Sequence, residues 1–181
     1  LYNVDMRLRP SGRAGPVATS LEAFASYQET EAWTWEHMAL TRARVVSAAP
    51  EFAARIEGVI REVLCRPRDA EAVAADVVEM RRAIASEKGD RDRWDLKYVA
   101  GGLIDIEFIA QYLQLVHAAQ TPEILDTSTA RVLDKAWRSL DCHQQQSPGN
   151  LSHTALRLAV EHPGEDSEAL AARASAAAGR P

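Results

Sequence analysis

The sequence predicts a mainly α-helical protein, an antiparallel helical bundle preceded by one strand. Three observations support this prediction: apolar residues recur at helical spacing, capping residues stand where the patterns begin, and the loops between them are short. The 181 residues are 46% hydrophobic and 26% charged, a composition typical of a globular protein with a core. The chain is therefore expected to fold around its helices.

Composition also excludes several classes of protein. The net charge is −5 and no long basic run offsets it, which argues against nucleic-acid binding. The sequence has no long apolar run and no signal peptide, so it gives no indication of a membrane protein or of a secreted one. The two cysteines lack metal-ligand spacing, as expected of ordinary residues in a reducing cytoplasm.

The strand is predicted over residues 1–9, LYNVDMRLR. Side chains alternate across a strand, so one face is apolar and the other carries Asp5, Arg7 and Arg9. Such a carboxylate is suited to Mg²⁺ and such arginines to nucleotide phosphates. Alternation alone favours a solvated face with cross-strand ion pairs. Because a lone strand is unstable, we expect the chain to be a fragment whose partner strands lie upstream.

Helix signals follow from residue 19 onward. Apolar stripes define the longer helices, and the caps are Thr19 or Ser20, Asp69, Gly89 and Ser128. Pro50 suits a first helical turn. The predicted helices cover 19–27, 31–46, 50–64, 69–89, 103–117 and 128–140, with a further helical stretch beginning at 121–122. From about residue 143 the character changes to an alanine-rich tail with one helical pattern over 151–161, which we expect to be loosely packed.

Two helical segments contain candidate binding residues. In EAWTWEHMALTRARVV, Arg42 and Arg44 stand two residues apart on a predicted helix and would border a cleft, although a tryptophan core stripe with surface arginines is the favoured alternative. In DLKYVAGGLIDIEF, Asp105 and Glu107 already satisfy the helix N-terminus. Lys97 is therefore the better phosphate candidate of that segment.

Taken in order, LYNVDMRLRPSG, GPVATSLEAFASYQETEAWTWEHMALTRARVV, VVEMRRAI and DLKYVAGGLIDIEFIAQYLQL resemble the bacterial glutamine synthetase adenylyltransferase family. The resemblance runs to about residue 115 and thins out near 140. It implies two polymerase-β-like nucleotidyltransferase domains, each followed by a helical domain shared with the PII uridylyltransferase. One copy attaches AMP from ATP to a tyrosine of glutamine synthetase, and the other removes it by phosphorolysis. The EAWTWEH and TRARVV segments look more like the C-terminal, adenylylating copy.

The resemblance also implies roles for particular residues. Asp5 matches the third Mg²⁺-binding catalytic carboxylate, and Arg7 and Arg9 match the RLRP segment that follows it. The first two carboxylates do not precede Asp5 here, so we expect the chain alone to be inactive. The residues assigned to nucleotide binding are Arg7, Arg9, Arg42, Arg44 and Lys97. Further residues expected to matter are Glu36, Gly101, Gly102, Asp105 and Glu107.

The domain divisions implied are 1–18 for the end of a nucleotidyltransferase domain, 19–142 for the helical bundle and 143–181 for a divergent tail. Glutamine synthetase and a PII signal protein are the implied partners, and ATP the implied substrate, in the cytoplasm. Three alternatives stay open. They are the adenylyl-removing half of the same enzyme, a PII uridylyltransferase-like protein, and a helical docking module without catalytic function.

Overall fold

A computed structural model of the chain describes residues 9–90, 92 and 94–144, with side chains up to residue 139. This part of the chain is helical and contains no strand. Its helices are α1 (Leu21–Thr30), α2 (Thr34–Leu40), α3 (Pro50–Leu64), α4 (Ala70–Lys88), α5 (Leu103–His117) and α6 (Thr129–Gln144), with short 3-10 turns at Gly12–Ala14 and Pro122–Ile124. Residues 1–8 of the predicted strand lie outside the described residues, and Arg9 lies in a bend.

Local chemistry sets several helix boundaries where the sequence predicted them. The side chains of Ser20 and Asp69 each accept a hydrogen bond from the backbone N–H three residues on, at 3.1 and 2.8 Å. Pro50 is the first residue of α3. Gly89 ends α4 with a φ of 81°, a conformation that glycine adopts without a steric cost. These four predictions are confirmed.

The prediction of a helix over 31–46 is wrong at both ends, because α2 covers only Thr34–Leu40. At its start, the Glu36 carboxylate accepts a hydrogen bond from the Trp33 N–H at 2.9 Å and so fixes the first turn. At its end, the buried Thr41 hydroxyl donates to the Met38 carbonyl at 2.7 Å, and a threonine bonded in this way competes with the helical backbone. Between Thr41 and the start of α3 at Pro50, the chain has turns and bends and no helix.

Two expectations for this segment depended on the longer helix and are wrong. Arg42 and Arg44 lie beyond α2, so the predicted helical stripe that included Arg42 does not form. The alternative of a tryptophan core stripe is also wrong, because Trp33 is 70% and Trp35 is 42% exposed. Both indole rings therefore lie at the surface.

The core is organised around α5, which packs against α2, α4 and α6, while α1 packs against α3. One apolar cluster joins α2, α3, α4 and α5 through Met38, Leu40, Val63, Leu64, Val73 and Leu115. A second joins α5 to α6 and the turn before it through Ala110, Leu113, Ala118, Ile124, Val132 and Ala136. Burial on two sides makes α5 the best-anchored helix. The antiparallel direction of the helices stays a prediction.

A polar junction closes the ends of α1, α2 and α3. Arg68 donates to the carbonyls of Val63 and Leu64, in the last turn of α3, at 2.8 and 3.1 Å, which satisfies carbonyls that the helix leaves free. His37 Nε2 donates to the Gln28 carbonyl at 3.0 Å. Burial, followed by the nearby Arg68 charge, lowers the pKa of His37, so the junction favours the neutral imidazole.

Candidate functional site

The connector between α4 and α5 brings Lys97 and both predicted glycines to the first turn of α5. Gly101 has a φ of +79°, and Gly102 is the N-cap of α5. A Cβ at Gly102 would lie 2.7 Å from the carbonyl oxygens of Leu96 and Val99, which is too close for any side chain. The connector backbone therefore requires these two glycines, and their first role is structural.

Asp105 links this connector to α4. One of its carboxylate oxygens accepts the Gly101 N–H at 2.6 Å, and the other pairs with Arg81 Nε. The same guanidinium donates through Nη2 to the Tyr98 carbonyl at 2.9 Å. Only 17% of the Arg81 side chain and 24% of the Asp105 side chain are exposed. The three bonds join α4, the connector and α5 in one network.

Sequence reasoning missed Arg81 as a site residue. For Asp105 the residues alone predicted an interaction with the helix dipole, and the resemblance implied that the residue matters without giving it a partner. The signal was present in the pattern of α4, since Arg81 follows Val77 by four residues and precedes Ile84 by three. An arginine on an apolar stripe has to find a partner when the stripe is buried. The partner itself, 24 residues further along the chain, has no local signature.

Arg42 and Glu107 form the second ion pair of the region. Arg42 Nη1 lies 2.9 Å from Glu107 Oε1 and also donates to the Thr129 hydroxyl at 3.4 Å. The pair connects the chain beyond α2 to α5 and to the first residue of α6. Both side chains are 43% exposed, so water screens the pair.

Arg44 and Lys97 are predicted cations that no carboxylate neutralises among the described residues. Both are exposed. Lys97 Nζ lies 5.0 Å from the centroid of the Tyr98 ring, and the Lys97 backbone accepts the Ile104 N–H at 3.2 Å. A fixed backbone with an exposed ammonium group is an arrangement suited to an anion such as a phosphate.

Glu36 and Arg9 have structural partners. The Tyr27 hydroxyl donates to both oxygens of Glu36, at 2.9 and 3.1 Å, and thereby ties α1 to α2. Burial and this carboxylate raise the pKa of Tyr27. Arg9 Nε donates to the Gly15 carbonyl at 3.3 Å in the loop before α1. Asp5 and Arg7, the other predicted residues of the strand, lie outside the described residues.

The described residues do not supply a metal site. They contain no group of three or more His, Cys, Asp or Glu side chains that could hold a metal ion. The predicted Mg²⁺ ligand, Asp5, is not among these residues. In the described ranges, no helix combines the length and the apolar character needed to cross a bilayer.

Comparison with known proteins gives two matching family models. The model described as Glutamate-ammonia ligase adenylyltransferase matches residues 1–59. The model described as GlnD PII-uridylyltransferase matches residues 78–145. The first match contains α1, α2 and the Arg42 and Arg44 positions, and the second contains the Arg81–Asp105 network. The two matches thus divide the candidate site between them.

Curated relatives match across that division. Bifunctional glutamine synthetase adenylyltransferase/adenylyl-removing enzymes of Rhodopseudomonas palustris and Bradyrhizobium diazoefficiens are each 72% identical over 138 residues, which are 76% of this chain and 14% of the relative. The corresponding enzyme of Xanthobacter autotrophicus is 56% identical over 169 residues, 89% of this chain and 17% of the relative. The chain therefore spans a small part of the length of the relatives it matches.

Proposed function

The chain belongs to the family of bacterial bifunctional glutamine synthetase adenylyltransferase/adenylyl-removing enzymes, and from this membership we propose that it works as the helical region of such an enzyme. In that role it takes part in the transfer of AMP from ATP to a tyrosine of glutamine synthetase. The observation that carries the proposal is the 72% identity over 138 residues. The matched residues are 76% of the chain, and identity at this level is far above what a shared fold alone would require.

We assign the chain to the C-terminal, adenylylating copy, on the EAWTWEH and TRARVV segments. The adenylyl-removing copy is the second candidate, because the relatives are named for both activities. A PII uridylyltransferase-like protein is supported only by the match over residues 78–145. A pure docking module agrees with the helical content but does not account for the exposed cations at Arg44 and Lys97.

Within the proposed enzyme, the cations of the helical region form two groups: those without a carboxylate partner among the described residues and one that has such a partner. Lys97 and Arg44 are exposed and unneutralised among the described residues, so we assign them to the phosphates of ATP. Arg42 is already paired with Glu107, so its first role is to tether the chain beyond α2.

The strand residues complete the proposed site. Asp5 would bind Mg²⁺ and act in catalysis, a role that a carboxylate fills beside substrate phosphates. Arg7 and Arg9 would contact the phosphates. Glutamine synthetase and a PII signal protein are the proposed partners and the cytoplasm the proposed location. The divisions at 1–18, 19–142 and 143–181 are proposals of the same kind.

The test is AMP transfer by the full-length enzyme that carries this sequence, with Lys97→Ala and Arg44→Ala variants. Loss of a charge-assisted contact to phosphate should raise KM for ATP by about tenfold. Arg61→Ala is the matched control, because Arg61 is exposed on α3, whose main contacts are with α1 and α2. The purified chain alone serves as the blank and should transfer no AMP above background. Unchanged kinetics in both variants would remove these cations from the site.

A further inference from the structure

We propose that Arg81 is a positioning residue for Lys97, acting through the backbone of the connector between α4 and α5. The inference rests on the proposed function, in which Lys97 contacts the phosphates of ATP. Arg81 lies on α4 and touches no predicted substrate contact directly. Its two hydrogen-bond partners both follow Lys97 in the chain: the Tyr98 carbonyl belongs to the next residue, and Asp105 lies in the first turn of α5.

Bonds to the backbone fix Lys97 on both sides. Its N–H donates to Asp95 Oδ1 at 3.1 Å, and its carbonyl accepts the Ile104 N–H at 3.2 Å. The next carbonyl, that of Tyr98, accepts Arg81 Nη2 at 2.9 Å. The Lys97 side chain stays exposed. The connector is thus held at its backbone while its ammonium group remains available.

The burial of Arg81 argues that this contact has a specific purpose. A charged side chain that is only 17% exposed gives up hydration and needs several acceptors to compensate. Nη1 is buried and has no hydrogen-bond partner among the described residues, so the compensation is incomplete. An apolar side chain on the α4 stripe would pack without that cost. What only the arginine supplies is the fork that reaches Asp105 and the Tyr98 carbonyl together.

Arg82 provides a matched control on the same turn of α4. It is exposed and makes no hydrogen bond or ion pair with the described residues. Arg82→Met removes the same charge from the same helix without touching the connector. The test variants are Arg81→Met, which loses both bonds, and Arg81→Lys, which keeps the charge facing Asp105 but lacks the fork.

The experiment measures KM and kcat for ATP in the full-length enzyme, together with the thermal unfolding midpoint of each variant. Lys97→Ala and Arg81→Met should each raise KM by about tenfold. The double variant should raise KM by less than about twofold more, because both changes remove one contact. Arg81→Lys should give an intermediate rise, and Arg82→Met none. If Arg81→Met does not fold, Arg81→Lys replaces it, and KM is compared for Arg81→Lys with and without Lys97→Ala.

Three outcomes would overturn the inference. Equal rises in KM from Arg81→Met with and without Lys97→Ala would show independent effects. A lowered unfolding midpoint with unchanged KM would show that Arg81 is only structural. In both cases a raised KM in Lys97→Ala would leave the proposed function standing. Unchanged KM in Lys97→Ala itself would overturn the phosphate assignment and the positioning role together.

Discussion

Asp105 and Glu107 stand two residues apart at the start of α5, and each pairs with an arginine from another part of the chain, but the two pairs differ in burial. The Arg81 and Asp105 side chains are 17% and 24% exposed, whereas those of Arg42 and Glu107 are both 43% exposed. Asp105 also accepts a backbone N–H, and Arg81 also donates to a backbone carbonyl. Glu107 shares Arg42 with one hydroxyl.

Two acid–arginine pairs about half a helical turn apart therefore have different roles. The buried pair replaces hydration on both partners, so removing either partner leaves the other uncompensated. The exposed pair replaces contacts with water by a contact within the protein, so it adds little to the free energy of unfolding. The first pair therefore determines the path of the connector, and the second fastens a loop to a helix that is already in place.

Asp105→Ala should produce the largest effect. It strands the Arg81 guanidinium and the Gly101 N–H, and we expect the free energy of unfolding to fall by about 2–4 kcal/mol. Urea unfolding of the purified chain measures this change. Glu107→Ala is the control and should cost less than about 1 kcal/mol. Similar losses in the two variants would break the comparison, because burial would then not distinguish the pairs.

The sequence predicted the features of this region that depend on neighbouring residues. The caps at Ser20 and Asp69, the first turn at Pro50 and the end of α4 at Gly89 are local contacts, and all are confirmed. The predicted bounds of α5, Leu103 to about His117, match those observed, because glycines precede the helix and a continuous apolar pattern follows.

The features that the sequence did not predict depend on contacts between residues that are distant in sequence. The end of α2 follows from burial of the Thr41 hydroxyl, and the pattern around it is equally compatible with a longer helix. The pairing of Asp105 with Arg81, and that of Glu107 with Arg42 across 65 residues, require the packed arrangement of three helices. Spacing alone can place a carboxylate on a helix but cannot select its partner.

A third carboxylate, that of Asp126, is also held by cations, and its contribution to stability depends on pH. Asp126 is 14% exposed and accepts hydrogen bonds from Arg131 Nε at 2.8 Å, the Ser128 N–H at 2.8 Å and Lys135 Nζ at 3.1 Å. The Arg131 hydrogen bond, with smaller contributions from Ser128 and Lys135, lowers the pKa of Asp126 well below its usual range. Asp126 thus resembles Asp105 in burial and number of partners.

Because the folded-state pKa of Asp126 is depressed, its contribution to stability is fully present above the unfolded pKa of about 3.9 and is lost as pH falls below it. Between pH 6 and pH 3, the chain should lose about 1 kcal/mol more of its unfolding free energy than Asp126→Asn does. This figure allows for solvent around Arg131. Urea unfolding at the two pH values measures the difference. If the unfolding free energy falls equally in both proteins, the cations around Asp126 do not stabilise the folded state.

Arg42→Gln should produce the smallest effect, and its salt dependence identifies the cause. The variant keeps a hydrogen-bond donor but loses the charge facing Glu107, so we expect a loss of about 0.5 kcal/mol of unfolding free energy at low salt. Salt screens an exposed pair, and the difference between the two proteins should vanish near 1 M NaCl. Asp105→Ala should keep most of its cost under the same conditions, since buried pairs are screened less. A loss above about 2 kcal/mol for Arg42→Gln that persists in high salt would mean that the Glu107 pair helps to build the fold, as the Asp105 pair does.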